Sequence, residues 1–302
     1  MSPVCSALPF VDGNNGGSRP CAERLCPSAV TDFSLITLSS GRDGHLRELI
    51  AGVGRMSKQP AEIVIVYMNQ PEHLDFGRED VIGVDIVGPS LPLARARNAG
   101  AGAAGTDRLV YLDVDCIPSS DFGDVMLRDL ERYGGLVMGD PWYLPSDLPA
   151  VTEAILQQSS HPHPTRSSLQ VGRQTNYDTF WSLCFALSRS DFEQIGGFDE
   201  SFVGYGGEDT DFAWSARARN IPFSISAARV FHQHHPSYSP PLNHFSDVVT
   251  NARAFHAKWR KWPMAGWLDQ FVDRGLIQWT ATGEDLTIVR PPSNEEVEAA
   301  RT

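Results

Sequence analysis

The sequence predicts an α/β protein built on a mostly parallel, mixed sheet with flanking helices, and three observations predict it. Continuous apolar runs of strand length recur at DFSLITLS, EIVIVYM, VIGVDIVG and RLVYLDVD. Segments of helical period separate the first run from the second and the third from the fourth. Two aspartates, Asp113 and Asp115, stand where the fourth run stops. Apolar runs without polar alternation are the mark of strands covered on both faces. Alternating strands and helices of this length give a doubly wound sheet, whose ligands bind outside the carboxyl ends of the strands.

The elements follow in order. DFSLITLS reads as a strand, and GRDGHLRELIAGVGRM carries Leu46, Leu49, Ile50, Val53 and Met56 at helical spacing. EIVIVYM and VIGVDIVG are two further strands, LARARNAGAGAAG is a helix of small residues, and RLVYLDVD is the fourth strand. Between 140 and 180, PWYLPSDLPA and SSHPHPTRSS are rich in Pro, Ser and His and predict loops around a short helix at 150–158, a candidate mobile flap. FWSLCFALS then reads as a strand, SDFEQIGGF as a short capped helix, EDTDFAWSARARN as a longer helix and ISAARVFHQHH as a strand ending in histidines. The remainder predicts a helix at HFSDVVTNARAFHAKWRKW, a second after Pro263, a strand EDLTIVR and a charged end.

Composition narrows the function. With 302 residues, 41% of them hydrophobic, the chain can bury a substantial core. A net charge of −12 opposes any electrostatic hold on nucleic acid or anionic lipid, which rests on phosphate neutralisation by Lys and Arg. No apolar run is long enough to span a membrane, and the N-terminus lacks the basic start and apolar core of a secretory signal. The five cysteines, Cys5, Cys21, Cys26, Cys116 and Cys184, form no CxxC pair, so a reducing cytoplasm is the expected setting. Residues 1–30, rich in Gly, Asn, Ser and Pro, read as a flexible tail with two exposed thiols, Cys21 and Cys26.

Three constellations could carry chemistry. Asp113-Val114-Asp115 offers hard oxygen ligands for Mg²⁺ or Mn²⁺, although strand-end aspartates also simply cap turns. GGFDESFVGYGGEDTDF places Gly206 and Gly207 ahead of Glu208, Asp209 and Asp211. A helix dipole explains one or two acids there, but not the double glycine, whereas a buried carboxylate beside an open cleft is what a general base requires. FHQHHP presents His232, His234 and His235 after an apolar run, where imidazole can complete a metal site.

From 31 to 236 these residues resemble the GT-A fold glycosyltransferases, family 2 in particular together with the related galactosyltransferase-type C-terminal half. The motifs come in that family's order: LITLSSGRDGHL, LPLARARNAGAGAAGTDRLVYLDVDCIP, IGGFDESFVGYGGEDTDFAWSARARN and VFHQHHP. The resemblance implies an inverting, metal-dependent transfer from a nucleotide-sugar, with UDP the expected nucleotide, to an acceptor hydroxyl. It implies a catalytic domain at 31–243, split into a nucleotide-sugar half (31–120) and an acceptor half (121–243), with a helical extension at 244–302. Thr37, Ser39 and Arg42 would border the nucleotide, and Arg95, Arg97 and Asn98 would lie by the donor. Asp115 would ligate Mn²⁺ or Mg²⁺ with His232, or with His235 after a shift of register, while Asp113 holds the ribose or a metal-bound water. Asp209 would deprotonate the acceptor and Glu208 bind it. Tyr205, where some relatives have Trp, Gly206, Gly207 and Trp181 would line the acceptor site. One departure concerns the second strand, which often ends in an acidic residue that reads the base: here the stretch is VIVYMNQPEH, and Asn69 would have to substitute by hydrogen bonding.

Two rivals remain at this stage. LDVDCI approaches the nucleophile motif of haloacid-dehalogenase-type phosphatases, with Asp113 as nucleophile, but residue 117 is Ile and the GGED and HQHH motifs would have no role. A non-catalytic sugar-binding module could use Trp181, Tyr205, Trp214, Trp259, Trp262 and Trp267 as a stacking platform, although core packing suits most of them. KWRKWPMAGWL reads as a buried helix or a homodimer contact ahead of a peripheral membrane contact.

Overall fold

Four strands that the sequence marks by apolar runs come first in the sheet: β1 (Ser34–Ser39), β2 (Glu62–Met68), β3 (Val81–Ile86) and β4 (Arg108–Leu112). The computed structural model describes residues 32–302 apart from Pro89, Thr165, Ser167 and Ser168, and Asp32–Thr302 form one compact unit. The expected tail, with Cys5, Cys21 and Cys26, lies outside the described residues.

β1 pairs in parallel with β2 on one side and β4 on the other, and β2 pairs in parallel with β3. The chain therefore steps outward from β1 to β3 and then returns across β1 to β4, which makes the carboxyl ends of β1 and β4 a topological switch point and opens a crevice there. α1 (Asp43–Arg55) covers one face and α2 (Leu93–Ala103) the other. α2 is made of small residues because it lies close on the sheet: a Cβ on Gly100 would come 2.5 Å from Ile36.

The second half turns the sheet mixed. β5 (Cys116–Pro118), β6 (Leu136–Tyr143), β9 (Cys184–Ser188) and β10 (Phe223–His232) complete the order β3-β2-β1-β4-β9-β6-β10-β5, with short β7 (His161–Pro162) on β6 and β8 (Gly172–Gln174) on β10. β9 runs antiparallel to β4 and β6, while β10 is parallel to β6. α3 (Phe122–Tyr133) joins α1 on one face, and α5 (Arg189–Ile195) and α6 (Glu208–Ala218) join α2 on the other. Each fully buried Leu, Ile or Phe in these two layers contributes about 2 kcal/mol of transfer free energy, so the sheet is a rigid base for what its ends carry.

The helix expected at 150–158 is α4 (Glu153–Ser159). Residues 119–140 had no assigned element, yet they supply α3 and most of β6, a central strand whose apolar run is broken by Gly139 and Pro141. α7 (Phe245–Trp259) and α8 (Ala265–Asp273) match the two expected C-terminal helices and share an apolar cluster with Leu276, Trp279 and Leu286. The expected strand EDLTIVR shrinks to β12 (Thr287–Ile288) on β11 (Ile277–Gln278), and the charged end forms α9 (Asn294–Ala299), started by a Ser293/Glu296 capping box. The Trp-rich stretch packs inward: Trp259 donates to Asp211, and Trp262 donates to the Gly283 carbonyl and stacks on His256 at 4.0 Å. Trp214, also weighed as part of a sugar platform, donates to Asp178 and packs edge-on to Trp259. No helix among the described residues is long and apolar enough to cross a membrane.

Candidate active site

Asp115 sits just past the end of β4, where backbone pairing to β10 holds it: the Gln233 amide donates to its carbonyl at 2.7 Å. Its carboxylate meets three side chains. Arg42, in the turn after β1, donates to Oδ2 at 2.9 Å, His235 Nε2 lies 3.2 Å from Oδ2, and His232 Nε2 lies 3.6 Å from Oδ1. Asp115, His232 and His235 each offer one ligand atom within 4.8 Å of the others. Burial alone would raise the Asp115 pKa, but the His235 hydrogen bond and the charges of His232 and Arg42 win and hold it well below the usual carboxylate range. Burial lowers His232, while the bond to Asp115 raises His235. Tyr143, from the end of β6, stacks on His232 at 4.6 Å.

Asp113 belongs to a second cluster. Its amide donates to the Leu183 carbonyl, and its Oδ1 is 3.7 Å from Arg97 Nη2. Burial, opposed by Arg97 and assisted by Asp115 and Glu208, pushes its pKa upward, although the side chain stays 31% exposed toward the crevice and water there tempers the shift. Arg97 rises from α2, 3% exposed. Its Nη1 donates to Glu208 Oε1 at 3.0 Å and its Nη2 to the Ser182 hydroxyl at 2.8 Å.

Glu208 and Asp209 open α6 because Gly206 and Gly207 bring the chain in at φ +93° and +92°, left-handed values that a side chain resists. Glu208 is 6% exposed, and its Oε2 is buried with no hydrogen-bond partner. Asp209 accepts from the Thr210 amide at 2.7 Å; burial, then the Glu208 charge, pushes its pKa up to about 6. Asp211 has a structural duty, accepting from Lys258 at 2.8 Å and Trp259 at 2.6 Å and so tying α6 to α7. The loop ahead of α6 is held from α7: Asn251 donates to the carbonyls of Val203 and Gly206, and Asp247 accepts from the Tyr205 amide. Tyr205 stacks on His244 at 4.6 Å and lies 5.9 Å from Trp267.

The structure thus brings together two groups of expected residues, Arg42 with Asp115, His232 and His235, and Arg97 with Asp113 and Glu208, beside which Asp209 follows. His234 stands apart from the metal-competent group; its carbonyl faces His45. Other expected side chains are engaged elsewhere. Thr37 Oγ1 is buried without a partner inside β1, and Ser39 lies 3.5 Å from Gln70. Asn69, at φ +52°, bridges Gly88 and Ser90; Arg95 donates to the Val87 carbonyl; Asn98 binds Phe198 and Glu200. Trp181 lies under the Arg166 guanidinium at 4.7 Å. Sequence reasoning missed Gln70, which ties the turn after β1 to Asp43, and Ser182, Tyr143, Asp247 and Asn251. None of these has a local pattern that announces it.

Comparison with known proteins points one way. A family model described as the N-terminal domain of galactosyltransferase matches residues 162–236. A validoxylamine A glucosyltransferase of Streptomyces hygroscopicus subsp. limoneus is 33% identical over 257 residues, 74% of this chain and 55% of that protein. A second, from Streptomyces hygroscopicus subsp. jinggangensis, is 45% identical over 47 residues, 16% of this chain and 11% of that protein. The chain thus spans about half the length of the first of these relatives. Among solved structures, S. aureus TarS 1-349 in complex with UDP-GlcNAc superposes with a TM-score of 0.53 at 12% identity, covering 68% of this chain and 59% of that one. GalNAc-T7 with UDP, GalNAc and Mn²⁺ superposes with a TM-score of 0.51 at 14% identity, covering 74% and 47%. Identities this low speak to fold alone. The chain has the GT-A fold of these solved structures, and its sequence is similar to the two glucosyltransferases.

Proposed function

We propose that the protein is a metal-dependent, inverting glycosyltransferase of the family 2 kind, acting in the cytoplasm, that moves a sugar from a UDP-sugar to an acceptor hydroxyl. The observation that carries this reading is the convergence of Asp115, His232 and His235 at the carboxyl end of β4, next to the acidic head of α6. The relatives' name supports glucose as the sugar and makes validoxylamine A the first acceptor to try. In this reading 31–120 is the donor half, 121–243 the acceptor half and 244–302 an extension that buttresses it.

The residues fit a divalent cation. One carboxylate oxygen and two imidazole nitrogens form a mixed donor set suited to Mn²⁺, with Mg²⁺ the alternative. Asp115, His232 and His235 would hold the ion, which when bound supplies Lewis-acid stabilisation of the leaving diphosphate. Arg42 adds a fixed positive charge on the same side. Asp209 takes the proton of the attacking hydroxyl, and the unpartnered Oε2 of Glu208 orients that hydroxyl. A single displacement inverts the anomeric centre, and no covalent enzyme intermediate forms. A phosphatase with Asp113 as nucleophile would leave the Glu208–Asp209 pair idle.

The test is calorimetric titration of the protein with UDP, GDP and dTDP, each with Mn²⁺ and with EDTA. Binding of UDP that needs the metal and is lost in Asp115→Ala is expected. If no nucleotide binds under either condition, the donor site is wrong and the transferase reading falls.

A further inference from the structure

Arg97 reaches both halves of the crevice, yet its geometry is not that of a donor ligand. At 3% exposure its guanidinium is directed at the protein: Nη1 at Glu208, Nη2 at Ser182, and its plane over the Phe198 ring at 5.1 Å. Its own carbonyl accepts from the Tyr111 hydroxyl at 3.1 Å, which pins α2 to β4, the strand that ends in Asp113.

We propose that Arg97 is the positioning residue for transfer, setting the donor-side carboxylate Asp113 and the acceptor-side carboxylate Glu208 in one fixed relation. The proposal rests on the transferase reading. A carboxylate held through one oxygen by a planar, multi-donor group cannot rotate freely. Because Arg97 takes Glu208 Oε1, the buried Oε2 is the carboxylate oxygen left without a partner. A lysine keeps the charge but not the fork, so geometry and charge can be separated by substitution. The groups that face Asp209 are Glu208 on its own helix, Arg97 from α2, Asp113 from the end of β4 and Tyr205 from the preceding loop. Of these only Arg97 is a cation, so its loss also leaves the carboxylates without their counter-charge.

The experiment compares wild type, Arg97→Lys, Arg97→Met, Glu208→Gln and the Arg97→Lys/Glu208→Gln double variant. UDP binding with Mn²⁺ is measured by calorimetry. Turnover is measured as hydrolysis, with water as acceptor, of whichever of UDP-, dTDP- or GDP-glucose wild type cleaves fastest. Arg97→Lys should bind UDP within about threefold of wild type while kcat falls about 100-fold, the cost of a misplaced catalytic group. The double variant should be slower than Glu208→Gln by much less than 100-fold, because the Arg97–Glu208 contact is already broken there and only the contact to Asp113 remains to lose. In Arg97→Met the acid limb of the kcat profile should move to higher pH; should that variant fail to fold, the Lys variant and the cycle decide alone. UDP affinity that drops about tenfold with kcat at saturating donor unchanged would make Arg97 a donor ligand and overturn the proposal. Losses that multiply in the double variant would overturn it too, and in both cases an active wild type leaves the transferase reading standing. A wild type that binds no nucleotide overturns that reading and the Arg97 role with it.

Discussion

Asp209 carries the sharpest expectation. With its pKa raised to about 6 by burial and by Glu208, the proposed base would be protonated at lower pH and able to take a proton above, so kcat should fall as pH falls through about 6. Glu208→Gln removes the repelling charge and should shift that limb to lower pH. Asp209→Asn should cut kcat by about 10³-fold while UDP titrations stay unchanged; normal turnover would strip Asp209 of the base role. On the donor side, Asp115→Ala, His232→Ala and His235→Ala should each weaken Mn²⁺ binding in a calorimetric titration. Since His235 has its pKa raised by Asp115, the metal must displace its proton, and affinity should fall with decreasing pH. The positions of Asp115, His232 and Asp209 at element ends were legible because each closes a motif. That both His232 and His235 come within reach of Asp115 was not, because it depends on how the chain leaves β10.

At the scale of elements, the loop from Val203 to Gly207 depends on α7, a helix that starts some 40 residues later in the chain. Asn251 is fully buried, and Asn251→Ala strands the amide of Val203 and the carbonyls of Val203 and Gly206. The expected cost is about 2 kcal/mol in denaturant unfolding, with reduced turnover as the loop loosens. Gly207→Ala forces a side chain into φ +92° at the head of α6 and should cost roughly 1–2 kcal/mol, read the same way. An unchanged midpoint would mean that the turn is not strained. Most helices and parallel strands were readable from periodicity. β6 was not, since Gly139 and Pro141 break its run and only its neighbours β9 and β10 make it a strand. α9 was readable in principle: Ser293 and Glu296 are spaced as a capping box.

Across the whole molecule, the C-terminal helices pack against α6 and the loop ahead of it. Lys258 and Trp259 satisfy Asp211, which is 1% exposed, and α7 and α8 cover the Tyr205 loop. Deleting 244–302 would strip Asp211 of its Lys258 and Trp259 partners and uncover the side of Trp214 that packs on Phe255 and Trp259. Loss of soluble protein, or of a cooperative circular-dichroism melt, is the expected result; a folded, active truncation would show that the extension is dispensable.

Sequence alone determined the α/β class, the strand-end acids, the double glycine before α6 and the histidine run, because each is a local pattern of period, charge or backbone freedom. Tertiary structure alone decided which of these meet. That Arg97 faces Glu208, 111 positions away, and that Arg42 faces Asp115, 73 away, follows from strand order across the switch point, and strand order is set by packing between distant segments rather than by any pattern within one.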